Sequence, residues 1–153
     1  MEDILNKYSL LKYQNVPRET LLQFESFIAM VQKENKEINI ISRETEESDV
    51  IRHRHVIDSA QIIEFIDLNS KLTTDIGSGG GFPGIITSIM LKSKKEKSKI
   101  HLYEKSFHKS RFLRKASKDL EINAKVIQKN IFEAQNLESG TIISRAFKPL
   151  PIV

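Results

Sequence analysis

The stretch with the most chemistry per position is Asp75-Ile76-Gly77-Ser78-Gly79-Gly80-Gly81-Phe82-Pro83-Gly84, which holds all but one of the chain's six glycines. Glycine has no Cβ, so a turn built this way takes up positive φ at little cost and lets a ligand lie against bare backbone. Following a strand, it would stand at the carboxyl end of a sheet, where α/β folds hold nucleotide-like ligands. Gly79 to Gly84 spell G-x-G-x-x-G, a pattern that seats a dinucleotide pyrophosphate on a helix N-terminus and would suit an NAD-type oxidoreductase. Asp75 opposes that reading. A carboxylate repels pyrophosphate and favours an ammonium group, directly or through water. Glu104, at the end of the following strand, offers acceptors for ribose hydroxyls, a role that both kinds of ligand use.

Placing these residues requires a strand, a turn and a helix in sequence, and the pattern supplies them. Leu72-Thr73-Thr74-Asp75-Ile76 is short and β-branched, so it reads as a strand feeding the turn. Pro83 suits a first helical turn, and Ile85, Ile86, Ile89 and Met90 make the buried face of the helix that follows. Lys92 to Lys99 is almost wholly charged and reads as a solvated loop. Ile100 to Glu104 is a second strand, and Phe112, Leu113, Ala116 and Leu120 mark a helix with a basic outer face. Lys125-Val126-Ile127-Gln128 and Thr141-Ile142-Ile143-Ser144 read as two further strands. Alternating strands and helices argue for a parallel sheet with crossover helices. Upstream, Leu21, Phe24, Ile28 and Val31 lie on one helical stripe behind Pro17. A loop over Arg43 to Ser48 then leads into a helix capped by Ser48 or Asp49, with apolar positions from Val50 to Phe65.

Length and composition bound the rest. At 153 residues, 39% hydrophobic and 29% charged, the chain suits one globular domain: a helical part over 1–69 and an α/β part over 70–153. No apolar run reaches the length of a membrane span, and the acidic start Met1-Glu2-Asp3 is unlike a secretory leader, so the expectation is a soluble, cytoplasmic protein. Zero cysteines exclude disulfides, thiolate metal sites and a cysteine nucleophile. His53, His55, His101 and His108 have no metal spacing, so no metal is expected. Lys plus Arg exceed Asp plus Glu by 24 to 20, a net charge of +4 that permits a phosphate-rich partner without demanding one.

Read from Asp75, the turn also spells D-x-G-x-G-x-G, which resembles the first motif of class I S-adenosylmethionine-dependent methyltransferases. Four segments in order sharpen the likeness: Arg54-His55-Val56-Ile57-Asp58-Ser59, the string from Asp75 to Ile85, Glu104-Lys105-Ser106 with Lys109, Phe112 and Leu113, and Ser144-Arg145-Ala146-Phe147. Together with Asn35 and Ile38-Asn39-Ile40-Ile41-Ser42, they resemble the small-subunit (16S) ribosomal RNA guanine-N7 methyltransferases, also called glucose-inhibited division protein B, from about Phe24 to Leu150. The resemblance implies a Rossmann-like class I methyltransferase sheet preceded by helices. It places family contacts to S-adenosylmethionine on Gly77, Phe82, Ile131, Phe132 and Arg145, with Asp75, Gly79, Gly81 and Glu104 as the class motif positions around the donor. Where the family often has an arginine this chain has Asn130, and Phe132 stands in place of an acid.

The implied reaction transfers a methyl group to guanine nitrogen 7, which has a lone pair and no proton, so no general base is required and no catalytic residue is singled out. His55 and Asp58, three apart on a helix, could bond each other or neighbouring backbone. The implied partner is 16S rRNA or the small ribosomal subunit, met by a monomer. A target nitrogen deep in an A-form major groove must be offered on a loop or splayed-out base. Arg52 with Arg54, the lysine loop, and Lys109-Arg111-Arg114-Lys115-Lys118 are the basic clusters. Arg111, Arg114 and Lys115, with Arg145, are the favoured RNA contacts, because that cluster borders the donor site. Class I enzymes have a seven-strand sheet, so a chain ending just past its fourth strand reads as lacking the last strands at the C-terminus. A catalytically silent RNA-binding remnant of the fold is the third reading beside methyltransferase and oxidoreductase.

Overall fold

In the computed structural model, residues 2–94 and 97–145 are described. The segments Ala146-Phe147 and Pro149 to Val153, and part of the lysine loop, lie outside them. A four-stranded, wholly parallel sheet has the order β3-β2-β1-β4, with β1 Leu72–Ile76, β2 Lys99–Tyr103, β3 Ala124–Ile127 and β4 Thr141–Ser144. β1 lies between β2 and β4 and is buried from Thr73 to Ile76, as expected of a strand covered on both faces. The strand bounds read from sequence hold to within one residue. Strand order was not legible there, because it depends on how the β3–β4 connection crosses the sheet.

Helices bracket this sheet. The first turn, α1 (Ile4–Lys7), is capped by Asp3, whose carboxylate accepts from the Leu5 amide. The long helix α2 (Arg18–Asn35) buries Leu21, Phe24, Ile28 and Val31, the stripe expected of it, and Phe27 besides, with Pro17 at its N-cap. α3 (Ser48–Ile51) starts after Glu47 with no side-chain cap, so neither Ser48 nor Asp49 caps it. It continues as a π-helical stretch (Arg52–Ile57), α4 (Asp58–Ala60) and a 3-10 end (Gln61–Phe65). Phe65, one of the apolar positions read for this helix, lies in the tightened 3-10 end and is 79% exposed. α5 (Gly84–Ser93) is buried over nearly its whole length, and α6 (Phe107–Asp119) buries Phe112, Leu113 and Ala116 beneath a basic outer face. Lys92 belongs to α5 rather than to a loop; its ammonium donates to the Leu120 carbonyl at 2.9 Å.

One core runs through both the helical and the sheet-bearing parts of the chain. Three aromatic rings join them: Phe27 on α2 meets Phe82 of the glycine turn at 5.3 Å and Phe112 on α6 at 6.0 Å. A buried ion pair fixes α2 to the π-helical stretch that follows α3. Arg52, 2% exposed, donates to Glu25 at 2.7 and 2.9 Å and also pairs with Asp49, while Tyr8 donates to Glu25 at 2.7 Å. Arg52 is therefore not available to RNA phosphates, contrary to its reading as half of a basic cluster. A charge buried this deeply must be paired.

The loop from Ile38 to Glu46 is tied to α2 by Gln32, which donates to the Glu46 carbonyl at 3.0 Å, and above all by Asn35. The Asn35 carboxamide oxygen accepts from the amides of Ile40 at 2.8 Å and Ile41 at 3.0 Å, and its nitrogen donates to Glu46 at 3.2 Å. Asn35→Ala leaves those amides without an acceptor in a largely buried setting and should cost about 1–3 kcal/mol. Urea unfolding checks this: the midpoint should fall while the denaturant slope stays unchanged.

Candidate functional site

The carboxyl ends of β1, β2 and β3 open into a cavity of about 580 Å³, inside the range that small-molecule sites span. Its floor is the turn after β1, with Gly77, Ser78, Gly79 and Gly80. One wall is Tyr103 and Glu104 at the end of β2. The opposite rim is Asn130, Ile131 and Phe132 after β3, and the roof is Ile40, Ile41, Ser42 and Thr45 from the loop that Asn35 holds. His55, Phe82 and Arg145 close the remaining side.

Glu104 is the acid of this cavity, 9% exposed. One carboxylate oxygen accepts from the Gly79 amide at 2.8 Å and the other from the Ser106 amide at 3.1 Å. Each oxygen keeps a lone pair for a further donor. The same side chain thus braces the turn and leads into α6, whose N-cap Ser106 accepts from the Lys109 amide at 3.3 Å. Asn130 caps the 3-10 turn Ile131–Glu133 by accepting from the Phe132 amide at 3.1 Å. The position where the resemblance leads one to expect an arginine is therefore taken by a residue that shapes the rim locally.

Seven of the residues singled out as donor contacts, Gly77, Gly79, Phe82, Glu104, Ile131, Phe132 and Arg145, line the cavity. Asp75 and Gly81 do not. Asp75 has no exposed surface and points behind the turn, where its carboxyl accepts from the Gly84 amide at 3.1 Å at the start of α5. Its other oxygen has no hydrogen-bond partner among the described residues. Direct contact between Asp75 and a ligand ammonium is thus replaced by a structural role. Gly84 must be glycine here, since a Cβ would run into Asp75 and Leu102. Gly81, at φ +94°, leaves room for Phe27 and Ile85 rather than for a ligand. This arrangement also counts against the pyrophosphate reading, because the first amide of α5 is already engaged by Asp75.

The basic residues divide in the same way. Lys105, Lys109 and Lys129 line the cavity mouth, whereas Arg111, Arg114 and Lys115 are exposed on α6 and outside its lining, with Lys115 paired to Asp119 at 3.1 Å. Lys105 and Lys129 were missed in the sequence because each stands alone there, one after β2 and one after β3, and only the sheet brings them to one rim. His55 and Asp58 do not bond each other. Both turn to Arg145, which meets His55 Nδ1 at 2.8 Å and Asp58 at 3.6 Å and donates to the Arg54 carbonyl at 2.7 Å. Ninety residues of chain separate that arginine from His55, so no local spacing could reveal the pair.

A parallel sheet with a glycine turn after its first strand, an acid closing the second and a nucleotide-sized cavity over their ends defines an α/β domain of the methyltransferase type. A solved protein-L-isoaspartate O-methyltransferase from Plasmodium falciparum, described as putative and in complex with S-adenosyl-L-homocysteine, shares this fold at a TM-score of 0.55 and 21% identity, over 94% of this chain and 73% of that one. Residues 20–152 match the family model described as rRNA small subunit methyltransferase G, and the chain belongs to that family. The ribosomal RNA small subunit methyltransferase G of Pelagibacter ubique is 66% identical over 153 residues, all of this chain and 72% of that protein. Its counterpart in Cereibacter sphaeroides is 38% identical over 143 residues, 94% of this chain and 68% of that protein.

Burial pushes the Asp75 carboxyl up to about 7 from 3.8, opposed by Ser78 and the Gly84 amide and aided by Glu104 nearby. The folded chain therefore keeps this proton where the unfolded chain has lost it. Its contribution to stability is complete below pH 3.8 and is lost as pH rises to about 7, by up to about 1.4 kcal/mol per pH unit. Asp75→Asn removes that slope, so its stability relative to the parent should rise with pH across this window and then level. Denaturation curves at stepped pH measure the difference, and two parallel profiles would show that Asp75 ionises normally.

Proposed function

We propose that the chain transfers a methyl group from S-adenosylmethionine to nitrogen 7 of a guanine in 16S rRNA, acting in the cytoplasm as a monomer on RNA presented by the small ribosomal subunit. The observation that carries this reading is the convergence of the Gly77 and Gly79 backbone, the Glu104 carboxylate and the apolar Ile131 in one cavity of suitable size, in a chain of this family. No helix of the described residues is long and apolar enough to cross a membrane.

The residues fit the donor. Glu104 retains acceptor capacity for ribose hydroxyls beyond the two amides it already holds. Ile131 and Phe132 offer apolar surface for an adenine, and Arg145 offers a guanidinium to the donor carboxylate or to an RNA phosphate. The donor, when bound, supplies a methyl group on a positively charged sulfur. Attack by the guanine lone pair forms the carbon–nitrogen bond as the carbon–sulfur bond breaks, and the pair of electrons stays on sulfur; no proton moves in that step. The chain's part is to orient and enclose both partners, which is where the acceleration arises.

Lys105, Lys109 and Lys129 at the mouth, continued by Arg111, Arg114 and Lys115 on α6, are the surface for the RNA backbone. Replacing the three mouth lysines with alanine should weaken RNA binding and flatten its dependence on salt by about 2 units of log–log slope, since each phosphate contact contributes roughly 0.7–0.9. An unchanged slope would remove these lysines from the interface.

Glu104→Ala should lower affinity for S-adenosylmethionine about 10–100-fold, the worth of one hydrogen bond to a charged acceptor. Calorimetric titration with the donor, and with NAD in parallel, reads it. Methyl transfer from labelled donor to unmodified small subunits, with the modified base mapped, tests the reaction itself. A folded chain that neither binds the donor nor methylates the particle would instead be the silent RNA-binding remnant.

A further inference from the structure

Away from the floor and Glu104, the cavity is closed by a linked group of His55, Thr45, Phe82 and Arg145, whose hydrogen bonds admit a single protonation pattern. Arginine only donates. The guanidinium nitrogen lying 2.8 Å from His55 Nδ1 therefore faces an unprotonated ring nitrogen. At the other end of the ring, Nε2 lies 3.3 Å from the Thr45 hydroxyl, whose own proton goes to the Ser42 carbonyl at 2.9 Å. That hydroxyl can only accept from the ring, so Nε2 holds the proton. One neutral tautomer satisfies both contacts, whereas the cation keeps the one to Thr45 and loses the one to Arg145, because its Nδ1 proton would meet a donor.

The ring is also held in orientation. It stacks on Phe82 at 5.2 Å with the planes 26° apart, and Phe82 packs on Phe27 in the core. The charged groups around it are Arg145 from the end of β4 and Arg54 and Asp58 from its own helical winding; the roof contributes Thr45 and the glycine turn Phe82, both uncharged. Burial and the Arg145 charge hold the imidazole below its ordinary range, against the opposing pull of Asp58.

We propose that His55 is a positioning residue, whose neutral Nε2-protonated imidazole holds the Arg145 guanidinium in the cavity wall and releases it when the ring takes up a proton. This rests on the reading above in which Arg145 meets the donor carboxylate or an RNA phosphate. In the cation, two donors and two positive charges face each other at hydrogen-bond distance, so the contact is lost and Arg145 keeps only the Arg54 carbonyl and the more distant Asp58. Loss runs toward acid, below the ordinary imidazole range; above it the ring stays neutral, the contact holds and activity no longer varies with its protonation.

The test uses the whole chain and three variants. His55→Phe keeps the stack on Phe82 but has no acceptor. His55→Asn restores an acceptor near Nδ1 that cannot titrate. Arg145→Ala sets the scale. In long-range proton–nitrogen spectra of the free protein near neutral pH, His55 should show an unprotonated Nδ1 and a protonated Nε2. In methyl transfer to small subunits, His55→Phe should lower kcat/KM by about tenfold or more, matching Arg145→Ala, and the double variant should fall no further. His55→Asn should recover most of that loss and lack the acid-side decline of the parent. A protonated Nδ1 near neutral pH, or His55→Phe equal to the parent while Arg145→Ala is impaired, overturns the positioning role and leaves the methyltransferase reading in place. Arg145→Ala equal to the parent in donor binding, particle binding and transfer overturns both the positioning role and the part given to Arg145.

Discussion

The buried contact between the Asp75 carboxyl and the first amide of α5 is the constraint on which the site depends. A strand running into a helix leaves helix-terminal amides without partners, and an acid inside the core needs a donor. Each defect answers the other. The close approach this requires leaves no room for a side chain at position 84, and it draws α5 against Leu102 of β2. With the helix pulled in, the intervening residues must loop outward, and their backbone becomes the floor of the cavity. Glu104 then fastens that floor from the neighbouring strand through the Gly79 amide.

Two acids thus do different work a few residues apart in space. Asp75 is enclosed, tends to keep its proton, and faces the helix. Glu104 lies at the cavity with both oxygens held by amides and lone pairs still open to a ligand. Basic side chains stand around the mouth, so the charge pattern passes from one acidic wall inside, with the acceptors that sugar hydroxyls need, to a basic rim with the charge that phosphate needs.

The helical half contributes to function through packing rather than chemistry. α2 holds the glycine turn by the contact of Phe27 with Phe82, and Asn35 at its end shapes the loop that roofs the cavity. His55 reaches the same cavity from the π-helical stretch and meets Arg145 from the far edge of the sheet. The glycine turn and its enclosure therefore belong to one continuous core.

The four strands, the helices that follow β1 and β2, the glycine turn and the acid after β2 were legible because each is a local pattern: β-branched runs, a helical stripe, glycines in series. These patterns also carried the family resemblance. What they left open was every property that depends on direction or on distant partners. Asp75 and Gly81 looked like ligand contacts by their place in a motif, yet the motif does not say which face of the turn a residue occupies. Arg52 looked like surface charge until its pairing with Glu25 buried it. Lys105 and Lys129 form one rim only because β2 and β3 are neighbours in the sheet. Local sequence determines dihedral preference and apolar periodicity, and so it determined the elements and the turn. Burial, pairing and protonation depend on what arrives from elsewhere in the chain, and only the tertiary structure decided them.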